Sequence, residues 1–293
     1  MRSNVRSVLA AAVLAGAVIA STVVTASPAM AATVGPGYSY RGDPHSHLGG
    51  FLNPDGTVGY CIDAGKGSPV GGATADLGVV DAVNGLSSDA MLQLAYVLDT
   101  YGDTADPDVA AAVALVVWGI ADPAGHAARG GDGFVITRAP AAQRPAILAL
   151  AARYRTEAAA YRPPPAASGA LVLSSSGGSS GALRLAVALT SPEATGSLTV
   201  TNGVFADTGT PTRDGVRDGQ TLEIRAVPPA GARDYRVDVA GAFVGPGLPD
   251  GSVHLYTTPG AQSIAASGRR VTPQFEAAAH LDVQLPPLPR VAG

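Results

Sequence analysis

The spacing of apolar residues in this chain changes once, and the change falls at the run Pro163-Pro164-Pro165. Before it, apolar positions recur at helical intervals. Met91, Leu94, Ala95 and Leu98 follow the capping run Ser87-Ser88-Asp89, and the pattern stops at Gly102. Asp106-Pro107-Asp108 opens a second helix. Its body, Val109 to Ile120, is apolar on every side, which predicts a central buried helix. A third helix is expected from about Ala141 to Tyr161, with Ile147, Leu150, Ala151, Tyr154 and Ala158 inward and Arg153, Arg155 and Glu157 toward water. Ahead of the helices, Phe51-Leu52, the turn Asn53-Pro54-Asp55-Gly56 and the segment Thr57 to Asp63 read as strand, turn, strand.

After the prolines the interval becomes two. Leu183, Leu185, Val187 and Leu189 alternate with small or charged residues, as do Leu198 with Val200, Leu222 with Ile224, and Tyr235 with Val237 and Val239. Val253 with Leu255, and Leu281, Val283 and Leu285, continue the series between Gly- and Pro-rich turns. The expected architecture is therefore α+β. A mixed β/three-helix head over 32–162 and a Pro-rich linker over 163–169 precede an all-β sandwich, of immunoglobulin or adhesin type, over 170–293.

Residues 1–31 have the parts of a secretory signal peptide. Arg2 and Arg6 precede an apolar run from Val8 to Ala20, and Ala29-Met30-Ala31 offers a small-x-small cleavage site. The run is shorter than the ~20 residues that span a bilayer, and no later segment is long and apolar enough, so no membrane span is expected after cleavage. The terminal residues Leu285 to Gly293 lack the pentapeptide, apolar helix and basic tail of sortase anchoring. The expectation is a secreted chain, possible envelope association being non-covalent. Ala, Gly and Arg richness fits a GC-rich, actinobacterial coding sequence. The net charge is −4 and Lys66 is the only lysine, so no basic patch is available for nucleic acid. A single cysteine, Cys61, excludes an intrachain disulfide framework and a multi-cysteine zinc site.

Strand alternation puts Val58, Tyr60 and Ile62 on one face and Gly59, Cys61 and Asp63 on the other. Some fifty residues later comes the apolar helix Val113-Ala114-Leu115-Val116-Val117-Trp118. This pair, with a helix ending at Tyr101-Gly102 between them, resembles the thioester domain of Gram-positive surface adhesins. The resemblance covers roughly 36 to 160. It implies a Tyr-Cys strand that supplies a sulfur and a later helix carrying Thr-Gln-x-Ala-(Ile/Val)-Trp. It further implies a Gln that acylates the Cys with loss of ammonia, and attack on that thioester by an amine of the target surface. Aligning Trp118 with the motif Trp puts Ala114 at the Gln position and Val113 at the Thr position. An alanine methyl donates no acyl group, so the resemblance implies a head without its thioester. Gln93 and Gln143 are the only glutamines of this half.

The expected site is then the groove between the Cys61 strand and the helix of Ala114 and Trp118, with Tyr60 and Asp63 nearby. The expected role is binding or adhesion at the cell surface to an extracellular protein or surface ligand, with no cofactor and no turnover. Two rivals remain: a secreted enzyme using Cys61 as nucleophile, for which a neighbouring histidine would be needed, and a purely structural envelope protein. Asp43, His45 and His47 form a weak candidate for a divalent metal, set against exposed loop histidines. Arg41-Gly42-Asp43 is expected to serve a turn. Trp118, the only tryptophan, is by default a core residue.

Overall fold

Caps set the helix boundaries in the computed structural model, which describes residues 30–162, 167–175 and 182–284. Most of the expected signal peptide, the proline run of the linker and Leu285 lie outside the described residues. Five strands come first: β1 (Met30–Ala31), β2 (Thr33–Ser39), β3 (His47–Leu52), β4 (Val58–Cys61) and β5 (Ala73–Val80). Helix α1 (Ser88–Tyr101) starts where the Ser87 side chain accepts from the Ala90 N–H and stops at Gly102. Helix α2 (Pro107–Ala121) is capped by Asp106, whose carboxylate accepts from the Asp108 and Val109 N–H groups, and proline fills its first turn. Its apolar circumference is buried as expected, from Ala110 through Trp118. Two short helices follow, α3 (Pro123–Ala128) and α4 (Gly131–Val135), and then α5 (Arg144–Ala160). Ile147, Ala151, Tyr154 and Ala158 form the buried stripe of α5. Arg155 departs from the expected outward face, because its guanidinium donates to the Leu115 carbonyl of α2 and to Asp132.

The C-terminal half contains β6 (Gly169–Ser175), β7 (Ala182–Leu189), β8 (Thr195–Thr201), β9 (Gly203–Phe205), β10 (Thr212–Arg217), β11 (Thr221–Ala226), β12 (Asp234–Val244), β13 (Leu248–Pro249), β14 (Val253–Thr257), β15 (Ile264–Ser267), β16 (Arg270–Val271) and β17 (Gln274–Gln284). Two four-stranded antiparallel sheets, β10-β8-β12-β17 and β6-β7-β11-β9, face each other across Leu185, Leu198, Phe205, Ile224, Val237 and Phe243. Alternation in β7 is complete, with Leu183, Leu185, Val187 and Leu189 inward.

One boundary drawn from the sequence needs correction. The alternating pair Val253 and Leu255 does form a strand, but that strand does not belong to the sandwich. The first sheet runs β1-β5-β14-β15-β4-β3-β2, so β14 and β15 lie at its centre, between strands from the N-terminal half. The span 170–293 is thus not one sandwich. β12 and β17 form a long hairpin paired from Asp234↔Gln284 to Val244↔Gln274, and residues 245–273 at its tip complete the sheet of the head. The physical reason is burial. Val253, Tyr256, Ile264, Ala265 and Ala266 pack into the core that holds α1 and α2, not into the one between the two four-stranded sheets. Where β2 meets β3, Gly37 and Gly49 are paired with positive φ, and a Cβ on either would collide with the opposite backbone.

Candidate functional site

Cys61 ends β4 and faces Ile264 across the ladder, with Tyr60 facing Ala265. Tyr60 anchors this strand to the helices, its hydroxyl donating to the Gly102 carbonyl at the end of α1 (2.9 Å). Asn84 ties the next residue down, donating to the Ile62 carbonyl (3.0 Å) and to the Ala121 carbonyl at the end of α2 (3.3 Å). Cys61 is a free thiol only 2% exposed. Burial, with the Asp63 charge second, pushes that thiol well above its usual range.

The chain leaves β4 through a tight loop. Lys66 N–H donates to the Asp63 carbonyl, and the Asp63 carboxylate accepts from the Ser263 N–H (2.9 Å) and the Lys66 ammonium (3.1 Å). Burial alone would raise the Asp63 carboxyl, but the Ser263 N–H and Lys66 more than offset it and hold it below the usual carboxylate range. Asp122, the cap of α3, accepts from both Gly125 and Gly65 N–H, which fixes the loop against α3.

Opposite this loop lies a residue that the sequence reading passed over. Gln262 sits in the turn between β14 and β15 and is 5% exposed. Its N–H donates to the Gly67 carbonyl (2.9 Å). The side-chain Oε1 accepts from Trp118 Nε1 (3.3 Å), and Nε2 donates to the Lys66 carbonyl (3.1 Å). Gln262 precedes Ile264 by two residues, and Ile264 pairs with Cys61, so alternation puts the Gln262 carboxamide on the face of Cys61 and Asp63. A buried carboxamide with both ends held thus lies two residues before the strand residue that pairs with a buried sulfur. The only signal available beforehand was the polar Gln262-Ser263 between apolar neighbours, and it sat in the half assigned to the sandwich.

The other expected residues divide. Trp118 is buried, and it also spends its one N–H on Gln262. Helix α2 packs against β2, β3 and β4, as the pairing of cysteine strand and tryptophan helix required. Ala114, one turn before Trp118, is a buried methyl. Gln93 is half-buried on α1, and Gln143 stands at the start of α5 without a side-chain capping bond. Asp43, His45 and His47 do not gather around a point. His47 is buried, with Nδ1 at Ser39 Oγ (3.0 Å) and Nε2 at the Gly50 carbonyl (3.1 Å), while His45 is exposed and Asp43 accepts from the His45 backbone. No cluster of three metal-ligating side chains occurs among the described residues. Arg41 and Gly42 adopt positive φ in the exposed turn between β2 and β3.

No protein-family model matches the chain, and no curated protein matches it. Among solved structures, the chain is similar to the thioester domain of the Enterococcus faecium TIE86 protein, at 15% identity and a TM-score of 0.39, over 86% of this chain and 92% of that one. It is also similar to the Bacillus anthracis TIE protein, at 13% identity and a TM-score of 0.42, over 86% of this chain and 48% of that one. No helix among the described residues is long and apolar enough to cross a membrane.

Proposed function

We propose that this chain is an exported binding module that stores an internal thioester between Cys61 and Gln262 and spends it on an amine of its extracellular partner. The observation that carries the reading is the buried Gln262 carboxamide, held by Trp118 and Lys66 on the face of Cys61. This reverses the expectation of a disarmed head. That expectation looked for the acyl donor at Ala114 on α2, whereas the candidate donor comes from the hairpin that the C-terminal half lends to the sheet.

The chemistry balances within the site. Cys61 Sγ bonds to Gln262 Cδ, the C–N bond breaks, and the thiol proton leaves with the nitrogen as ammonia. Trp118 Nε1 donates to Oε1, where negative charge grows in the tetrahedral intermediate. The Lys66 carbonyl orients the departing nitrogen. Burial then protects the product. Water is kept out, and a sulfur whose thiol is pushed so high is a poor leaving group, which favours a long-lived acyl bond. An amine that reaches the carbon forms an amide and returns the thiol. Adhesion to a protein or surface that presents primary amines is the role this chemistry fits.

The rival reading, an enzyme with Cys61 as nucleophile, is weakened by the same burial, because the raised thiol holds little thiolate at neutral pH. Neither His45 nor His47 is placed to activate it. Intact mass under denaturing conditions tests the proposal. The protein is expected to weigh one ammonia less than its sequence, with methylamine adding to that species. Cys61→Ala and Gln262→Ala should each abolish the deficit. Full sequence mass in freshly folded protein would overturn it.

A further inference from the structure

Beside this site lies a histidine with an unexplained nitrogen. His126, on α3, is 8% exposed. Its Nε2 donates to Asp132 Oδ1 (2.8 Å). Asp132 is itself gripped by Arg155 (2.8 Å), which reaches from α5. Burial alone would raise the Asp132 carboxyl, but Arg155 and His126 more than offset it and keep it ionised. With Nε2 donating to a carboxylate, Nδ1 is the nitrogen that accepts when the ring is neutral. That nitrogen is buried and has no hydrogen-bond partner. Buried polar atoms are seldom left so without a purpose. The ring lies against Trp118, with centroids 6.1 Å apart, and Trp118 is the residue that holds Gln262. The orphan base and the carboxamide are therefore neighbours of the same indole. Asp132, with Arg155 behind it, faces the ring, and Asp122 and Arg129 cap the two ends of its helix.

We propose, resting on the thioester reading, that His126 is the general base of this site, with Asp132 as its positioning residue. Nδ1 takes a proton from the attacking amine as the C–N bond forms. It delivers that proton to the Cys61 sulfur as the C–S bond breaks, leaving an amide and a thiol. Thioester formation is the reverse of aminolysis by ammonia. The same nitrogen therefore takes the thiol proton during formation and passes it to the departing ammonia. The expected ligand is an unprotonated primary amine whose N–H donates to Nδ1.

The test follows methylamine addition by intact mass from pH 5 to 8 in the full chain, in wild type, His126→Ala and Asp132→Asn. In His126→Ala the addition, compared at equal concentration of unprotonated methylamine, should slow by about a hundredfold or more and recover with added imidazole. A folded His126→Ala that shows no deficit until imidazole is supplied also supports the proposal, through the formation step. If His126→Ala does not melt cooperatively, Asp132→Asn decides, with an expected slowing of about tenfold or more. Wild-type rates in the folded variants overturn the role of His126 and leave the thioester standing. A wild-type chain without the ammonia deficit overturns both.

Discussion

The donated hairpin makes the head depend on residues far beyond the prolines. A fragment ending at 162 lacks β14 and β15, and the sheet order β1-β5-β14-β15-β4-β3-β2 then breaks into a two-stranded and a three-stranded piece. Val253, Tyr256 and Ile264, each at most 1% exposed, leave the core with them. At about 2 kcal/mol per large apolar side chain, their loss removes about 6 kcal/mol. The inner edges of β4 and β5 also lose their partners. Whole-domain stabilities are only about 5–15 kcal/mol, and two-stranded pieces are marginal in water. The expected outcome is that 32–162 alone shows no cooperative thermal transition by circular dichroism. The same fragment joined through a flexible linker to 245–273 should regain one. A fragment 32–162 that melts cooperatively within a few degrees of the intact chain's head would refute the reasoning, because the central strands would then be dispensable.

Opening the proposed thioester with methylamine should destabilise the head without changing a residue. The cross-link closes a loop of roughly 200 residues, worth about 5 kcal/mol on the chain-entropy estimate, and an unchanged denaturation midpoint after full mass conversion would contradict it. Trp118→Phe leaves Gln262 Oε1 buried without its donor, at an expected cost of about 1–3 kcal/mol in chemical denaturation. A change near zero would mean that the bond carries no energy. Burial lowers the His47 imidazole below its ordinary value of about 6.5. The unfolded chain therefore binds the extra proton first, and stability that is full above about pH 6.5 is lost as pH falls toward the folded value. His47→Gln should flatten this part of the thermal midpoint against pH, and an unaltered slope would assign the acid sensitivity elsewhere.

Local rules made most of the elements legible. Ser87 and Asp106 mark helix starts, and an all-apolar circumference marked α2 as central. The two-residue period located β7, β8, β11, β12 and β14. What alternation does not carry is the identity of the partner strand. Val253 and Leu255 read the same whether they face a sandwich or a helical core, and only the long-range pairing with β5 and β15 decides. The site inherits that gap. Cys61 and Trp118 are separated by fifty-odd residues and could be associated by pattern, but Gln262 reaches them only through the borrowed hairpin. His126 and Asp132 lie on α3 and α4, helices too short to show a period, so their pairing was invisible as well.

The ion pair between Lys66 and Asp63 has a consequence for selectivity of target. It ties the chain's single ε-amino group to a carboxylate, while every other cationic side chain is an arginine or histidine, neither of which forms a stable amide. If the proposed acyl transfer operates, neighbouring copies offer few amines of their own to acylate. Under the proposed chemistry, composition limits self-inflicted cross-linking and leaves the acyl group for amines of the partner.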